Sequence, residues 1–324
     1  MSDEEPKCSL KRSATDDLDG ATEVKRLNSS ETLANTKPKE LSIFSIVQKQ
    51  GERDEQQDRE TVLSNFDCGV PNLKRSSLVC LFDGHAGSRA SEFCKSKFHV
   101  RFQAICQKHA NNDLLTLEKN MKKVFNETYK SVDDEFLSIA RKLKPAAKDG
   151  STATTLLLLN DVIYCANIGD SKAVVFRCEG EKQQALQLTA DHQPMNFEER
   201  QRIQKAGGNV SDGRLLGMIE VSRAFGDGHL KAHGLISVPS VKKLTLTLTD
   251  LFLIVACDGL WKVFTSNEAV NYVWTQYLQM RKKSEDTQKL FDKIADALAT
   301  EAIERKCADN VSVIIIAFAQ NLNV

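Results

Sequence analysis

Short apolar runs alternate along the chain with longer amphipathic segments. Runs with the length and composition of strands occupy residues 41–47, 77–82, 152–159, 162–167, 173–176, 251–256 and 311–318. Segments with apolar side chains at helical spacing occupy residues 88–109, 115–143, 197–206, 267–277 and 287–303. Groups of strands interrupted by pairs of helices predict an α+β fold, in which helices cover sheet layers.

Glycine and small polar residues indicate where some of these elements begin and end. Gly207-Gly208 follows the helix predicted over residues 197–206, at the place where a left-handed cap is expected. Ser266 precedes the next helix and is predicted to be its N-cap. No linker or internal repeat divides the later part of the chain, so we predict one domain over residues 41–324.

Residues 1–40 differ in composition from everything that follows. They are rich in Ser, Thr, Asp, Glu and Lys and contain no aromatic residue. Such a segment cannot bury enough apolar surface to offset the entropy of ordering, so we predict that it is disordered. It has no apolar stretch typical of a secretory signal, and no run approaches the ~18 apolar residues of a membrane span. We therefore expect a cytoplasmic or nuclear protein, or one found in both compartments.

Charge and cysteine content narrow the class of protein further. Lys and Arg together number 44, as do Asp and Glu, so the formal net charge is zero. This balance gives no support for a nucleic-acid or membrane partner. The nine cysteines include no CxxC pair, and several lie in or beside apolar runs. We therefore predict reduced, mostly buried thiols.

Three aspartates lie at the ends of predicted strands. Asp83 and Asp258 each follow an apolar run and precede a glycine, whereas Asp309 comes just before the last strand. A glycine lets the backbone approach a cation closely, and carboxylate oxygens suit Mg²⁺ or Mn²⁺. A single Asp-Gly pair is usually only a turn. Three such aspartates, with Asp58 as a fourth candidate, predict a two-cation centre that could activate water for phosphoryl chemistry.

An ordered series of motifs gives these aspartates a context. In chain order the motifs are Arg53-Asp-Glu-Gln-Gln57-Asp58, Phe82-Asp-Gly-His-Ala-Gly87, Asp149-Gly-Ser-Thr-Ala-Thr154, Ala166-Asn-Ile-Gly-Asp-Ser-Lys172, Asp191-His-Gln-Pro194, Val221-Ser-Arg-Ala-Phe-Gly-Asp227, Ala256-Cys-Asp-Gly-Leu-Trp261 and Ala308-Asp-Asn-Val311. The series spans about residues 41–320 and resembles the type 2C metal-dependent serine/threonine protein phosphatases. The resemblance implies a central β-sandwich of two antiparallel sheets flanked by α-helices. It also implies hydrolysis of phosphoserine and phosphothreonine by a metal-bridging water, without a phosphoenzyme.

The same resemblance implies a set of ligands for two divalent cations, Mg²⁺ or Mn²⁺. Asp83 would bridge both ions, and the carbonyl group of Gly84 would bind the second. Asp258 and Asp309 would complete the first site.

Two further residues would act on the substrate. Arg53 would hold the phosphate, in keeping with the fit of a guanidinium group to phosphate oxygens. His85 would protonate the leaving seryl or threonyl oxygen as a general acid. We expect phosphoprotein substrates and a monomeric enzyme.

Some positions depart from the family pattern near the expected metal centre. Gln57 stands where many members have glutamate, and an amide is a weaker ligand, so we expect Asp58 to supply the carboxylate to the second cation. Lys262 occupies a position that is often acidic, which argues against a weakly bound third cation. Asp170 is the candidate ligand for such a third site, with a simple turn residue as the alternative.

Two departures concern the surroundings of the centre. Ala86 replaces a common glycine, which is a mild change unless the backbone φ is positive there. Lys172 stands where arginine is usual, and we expect it to form a supporting salt bridge.

Three functions are compatible with these residues. The first is an active phosphoprotein phosphatase. The second is a pseudophosphatase that binds phosphoproteins without turnover. Gln57 and Lys262 favour it, and it is opposed by the intact residues Asp83, His85, Asp258 and Asp309. The third is a two-cation hydrolase of small phosphate esters.

Overall fold

The computed structural model describes residues 42–282 and 286–322, so the predicted disordered segment 1–40 lies outside the described residues. Strands and helices are numbered here in chain order. The first of two five-stranded antiparallel sheets contains, in spatial order, β1 (Ile43–Lys49), β15 (Val311–Ala317), β14 (Asp250–Ala256), β8 (Lys172–Glu179) and β9 (Lys182–Gln187). The second contains β13 (Ser240–Thr245), β7 (Val162–Ile168), β6 (Ala153–Leu159), β3 (Ser76–Phe82) and β2 (Arg59–Leu63).

The helices cover the outer faces of this pair of sheets. One pair, α1 (Arg89–Ala110) and α2 (Leu114–Ala140), shares a core cluster with the second sheet. The other pair, α5 (Ser266–Met280) and α6 (Thr287–Glu304), shares one with the first sheet. The predicted sandwich of two antiparallel sheets flanked by helices is therefore confirmed.

Short elements lie at the edges of the sandwich and in its connections. They are α3 (Phe197–Lys205), α4 (Asp258–Trp261), a 3₁₀ turn (Lys231–His233), the hairpin of β10 (Val210–Ser211) and β11 (Arg214–Leu215), and a small sheet in the order β12 (Phe225–Gly226), β5 (Gly150–Ser151) and β4 (Gly84–His85).

Strand β3 shows why the central runs are apolar without interruption. Successive side chains of a strand face opposite ways. Val79 and Leu81 pack between the sheets with Leu253 and Val255 of β14, whereas Phe82 packs toward α1 and α2. Because both faces of the strand are covered, apolar residues occupy every position from Leu78 to Phe82 instead of alternating with polar ones. Truncating one such leucine to alanine would cost about 2–5 kcal/mol.

Three strands of the two five-stranded sheets escaped the sequence analysis, and all three lie at sheet edges. Strands β2, β9 and β13 each have a neighbour on one side only, and their side chains are partly or fully exposed. Polar residues are tolerated there, so the runs do not have the apolar composition of a buried strand.

Most predicted element ends agree with the structure, and one cap does not. Gly207 follows α3 with φ +80°, which confirms the left-handed cap. The N-cap of α5 is Thr265 and not Ser266, because the Thr265 hydroxyl accepts a hydrogen bond from the Glu268 N–H. The Glu268 carboxylate in turn accepts from the Thr265 N–H at 2.8 Å, which completes a capping box.

The thiol prediction also agrees with the structure. All eight cysteines among the described residues are free, and seven of them are buried, while Cys8 lies outside the described part. In that same part of the chain, none of the helices has the length and apolar character required to cross a membrane.

Candidate active site

The antiparallel register brings the strand-end aspartates to one end of the sandwich. Phe82, at the end of β3, pairs with Arg59 at the start of β2, and Ala256, at the end of β14, pairs with Val313 near the start of β15. A carboxylate after one strand and a carboxylate before its neighbour therefore lie at the same rim. A cleft of about 460 Å³ opens there, and its lining includes Arg53, Asp83, His85, Asp170, Asp258 and Asp309.

Two groups of potential metal ligands share Asp83. Carboxylate oxygens of Asp83, Asp170 and Asp258 lie within 4.8 Å of one another, and so do ligand atoms of Asp58, Asp83 and Cys257. Two oxygens on opposite sides of one Mg²⁺ lie about 4.2 Å apart, given Mg–O distances of about 2.1 Å. Small side-chain movements would therefore let the four aspartates hold a hard cation, and their carboxylates fit Mg²⁺ or Mn²⁺. The Cys257 thiol is a soft donor and does not fit such an ion.

The electrostatics of this cluster also favour a cation. Burial, followed by the charges of Asp58 and Asp258, raises the pKa of Asp83 well above its usual value. Burial likewise raises the pKa of Asp58 to about 6 and that of Asp170 to about 7. Crowded, buried carboxylates disfavour their own ionised forms, and a positive ion placed among them would remove that cost.

Asp170 is more central than the sequence analysis expected. It was a candidate for a third, weaker site, yet its carboxylate belongs to the same group as those of Asp83 and Asp258. It follows β7 directly at a Gly169 with φ +94°, and this turn aims it at the rim.

Asp309 is joined to Asp258 through a lysine. The Lys262 Nζ lies 2.5 Å from Asp258 Oδ2 and 3.1 Å from Asp309 Oδ2. Arg53 Nη2 lies 3.0 Å from the same Asp309 oxygen. Burial alone would raise the pKa of Asp309, but Lys262 and Arg53 together hold it below its usual value. Asp309 is therefore at the rim, although it belongs to neither of the two ligand groups among the described residues.

Asp58 and its neighbour Gln57 face different surroundings. The Asp58 side chain is buried, lies beside Asp83, and accepts a hydrogen bond from Ser312 Oγ at 2.6 Å. The Gln57 amide lines the cleft and donates to Glu55 Oε1 at 2.6 Å. The expectation that Asp58 supplies the carboxylate is thus compatible with its place next to Asp83.

Gly84 occupies a position that only glycine fits. A Cβ there would lie 2.5 Å from the Gln57 carbonyl oxygen and 2.7 Å from Ser91 Oγ. Ala86, two residues later, has φ +56°. Alanine at this position is therefore strained, by about 1 kcal/mol, and the replacement of glycine is not mild.

The partner of His85 was missed by the sequence analysis. His85 Nε2 lies 2.7 Å from Asp227 Oδ2, and the Asp227 carboxylate is buried. Both residues belong to quoted motifs, but nothing in the local pattern connects positions so far apart in the chain. The small sheet of β4, β5 and β12 makes the connection, because β5 pairs with both of the other strands.

The loop that carries Asp227 is held by buried polar groups. The Asp227 N–H donates to the Asp149 carbonyl oxygen at 3.0 Å. The Gly226 N–H donates to Asp133 Oδ1 at 2.8 Å, and the other oxygen of Asp133 pairs with Lys231 at 2.7 Å. Helix α2 thereby fixes the position of a residue at the cleft.

The salt bridge predicted for Lys172 is present. Its Nζ lies 3.1 Å from Asp191 Oδ2, and both side chains are partly buried. The bridge ties the start of β8, which follows Asp170, to the segment after β9.

Comparisons with known proteins agree with this geometry. The family model for protein phosphatase 2C matches residues 43–311. A human protein named integrin-linked kinase-associated serine/threonine phosphatase 2C is 40% identical over 311 residues, which cover 91% of this chain and 79% of that protein. A probable protein phosphatase 2C of Arabidopsis thaliana is 34% identical over 286 residues, which cover 84% and 78% of the two chains.

Solved structures show the same fold. The crystal structure of a serine-threonine phosphatase 2C from Toxoplasma gondii superimposes with a TM-score of 0.73 at 22% identity, covering 85% of this chain and 94% of that one. A sex determining protein of C. elegans gives a TM-score of 0.70 at 23% identity, covering 86% of this chain and 65% of that one.

Proposed function

The chain belongs to the protein phosphatase 2C family of serine/threonine phosphatases, and on this premise we propose that it hydrolyses phosphoserine and phosphothreonine in phosphoproteins with two divalent cations as cofactors. The observation that supports this most strongly is the sharing of Asp83 between two groups of potential ligands at one rim. A carboxylate in that position can serve two ions at once.

The cations would be held by residues of the cleft. Asp83 would contact both ions, with Asp258 and Asp309 on one side and Asp58 and the Gly84 carbonyl on the other. Asp170 lies close enough to Asp83 and Asp258 to contribute. When bound, Mg²⁺ or Mn²⁺ supplies an acidified water and neutralises charge on the phosphoryl group.

Arg53 and His85 would act on the phosphorylated side chain. Arg53 is more than half exposed at the cleft, so its guanidinium group can turn from Asp309 to a phosphate. Hydrolysis forms a bond from water oxygen to phosphorus and breaks the bond from phosphorus to the seryl or threonyl oxygen. The leaving oxygen needs a proton, and in this proposal His85, oriented by Asp227, donates it.

A pseudophosphatase is the second candidate, and Lys262 is the observation that favours it. Its ammonium group forms ion pairs with both Asp258 and Asp309. Against it stand the crowded carboxylates of Asp58, Asp83 and Asp170, which that lysine leaves without an ion pair.

Phosphate release from a phosphothreonyl peptide tests the proposal. We expect activity with Mn²⁺ or Mg²⁺, loss of activity in excess chelator, and loss of nearly all activity in Asp83→Asn. Asp134→Asn is the matched control, because Asp134 is exposed on α2 and pairs only with Lys130 among the described residues. Full turnover in excess chelator would refute the proposal, and a panel of small phosphate esters would show whether the peptide is the preferred class of substrate.

A further inference from the structure

Lys262 is directed at the metal centre by the backbone that carries Asp258. Asp258 begins the short helix α4, and Lys262 caps its end, with its N–H donating to the Asp258 carbonyl oxygen at 2.8 Å. Residues four apart on a helical turn lie on the same face. The lysine side chain therefore returns to the aspartate and extends to Asp309 on β15's side of the rim.

Positive charge is unevenly distributed over the acidic cluster. Asp309 Oδ2 is within 3.1 Å of both Lys262 and Arg53. By contrast, in residues 42–282 and 286–322 no lysine, arginine or histidine forms an ion pair with Asp58, Asp83 or Asp170. One side of the cluster thus has its counter-ions built in, and the other side has none.

The lysine can leave this position. Its side chain is 48% exposed, whereas those of Asp258 and Asp309 are about one-fifth exposed. An ammonium group on a flexible four-carbon chain can move into solvent at little cost in burial. A divalent ion that used the same aspartate oxygens would meet Coulomb repulsion from the ammonium group until it left.

We propose that Lys262 is an exchangeable internal counter-ion of the metal centre. Its ammonium group holds Asp258 and Asp309 in the cation-free protein, a divalent cation must displace it to bind between them, and it thereby weakens cation binding on this side. The inference rests on the cation dependence in the proposed function, but it does not depend on turnover.

Calorimetric titration of the metal-stripped full chain with Mn²⁺ tests this role. We expect Lys262→Met, which keeps most of the length of the side chain and removes its charge, to bind Mn²⁺ about tenfold more tightly, or about 1.4 kcal/mol. Lys262→Arg keeps the charge and should stay near the wild-type affinity. Lys148→Met is the matched control, because Lys148 is exposed in the same cleft without an ion pair to Asp258 or Asp309. It should change the affinity less than about twofold, since exposed charges are screened.

Thermal unfolding gives a second readout. Without cations, Lys262→Met should melt below the wild type, because Asp258 loses its counter-ion and Asp309 keeps only Arg53. Saturating Mn²⁺ should remove that difference. If Lys262→Met does not fold, Lys262→Gln takes its place.

Two results would overturn the proposal. One is equal Mn²⁺ affinity in wild type and Lys262→Met, including a flat titration of both. The other is an equal gain in Mn²⁺ affinity in Lys148→Met, because the loss of any positive charge from the cleft would then explain the effect. The two proposals can fail separately. If Lys262→Met binds Mn²⁺ more tightly but the wild-type protein releases no phosphate, the inference about Lys262 is supported and the proposed phosphatase activity is refuted.

Discussion

His85 Nε2 and Asp227 Oδ2 lie 2.7 Å apart, although 142 positions separate the two residues in the chain. A buried carboxylate beside a partly exposed imidazole fixes the orientation of the ring and the nitrogen that carries a proton. Gly150 lies between them in the small sheet, where a side chain would collide with both. The contact between His85 and Asp227 thus depends on the packing of three chain segments that are distant in sequence.

We expect Asp227→Asn to lower turnover of a phosphothreonyl peptide by about 10²-fold, in the range typical of a general acid. Asparagine keeps the size of the side chain but loses the charge that orients the imidazolium. An aryl phosphate has a leaving group that needs little protonation, so its hydrolysis should fall much less. Parallel assays of the two substrates check this, and an equal loss on both would contradict the role given to His85.

Gly150→Ala should destabilise the protein by about 1–3 kcal/mol, the cost typical of overpacking. Its Cβ would lie 1.9 Å from Asp227 Oδ2 and 2.2 Å from His85 Nε2. Gly228→Ala is the matched control, since its Cβ would meet only the end of the Leu137 side chain at 3.1 Å. Urea unfolding compares the two variants. Equal free energies of unfolding would contradict the prediction, because the small sheet would then accommodate the added methyl group.

Gln57→Glu should lower the Mn²⁺ concentration that gives half-maximal activity, by several-fold. The change adds a carboxylate to the cleft wall near Asp58. Asp58 itself forms no ion pair with any of the described residues. Asp58→Asn should raise that concentration, because an amide is a weaker ligand than a carboxylate. Gln279→Glu adds the same charge on the exposed face of α5 and should leave the value unchanged. A Gln57→Glu variant without improvement would place the second cation away from Gln57.

His192 gives a prediction for the pH dependence of stability. Its Nε2 lies 2.7 Å from Ser240 Oγ, and burial, followed by the charge of Arg223, lowers its pKa from 6.5 to about 4. As pH falls, the unfolded chain takes up this proton before the folded one does. The stabilisation is therefore complete above pH 6.5 and is lost as the pH falls to about 4. It amounts to at most about 3 kcal/mol.

We expect His192→Gln to flatten the fall in unfolding free energy across that pH range. Urea titrations at several pH values, in chelator, measure the slope for both proteins. An unchanged slope in the variant would assign the acid sensitivity to other groups.

The amino-acid sequence alone was enough to predict the central strands of the fold. The central strands are covered on both faces, so runs such as residues 78–82 and 251–256 are apolar at every position. The aspartates at their ends could be recognised for the same local reason, because each stops an apolar run. Edge strands such as β9 were not recognisable, because exposure on one side permits polar residues.

Contacts between distant segments were decided only by the packing of the sheets. The sequence analysis considered Lys262 only as an argument against a third cation. The structure places it between Asp258 and Asp309. Asp170 joins the central group, and Asp227 pairs with His85. A local pattern reports the face and the end of an element on which a residue lies. The distance between two such residues depends on strand register and layer packing, which involve the whole chain at once.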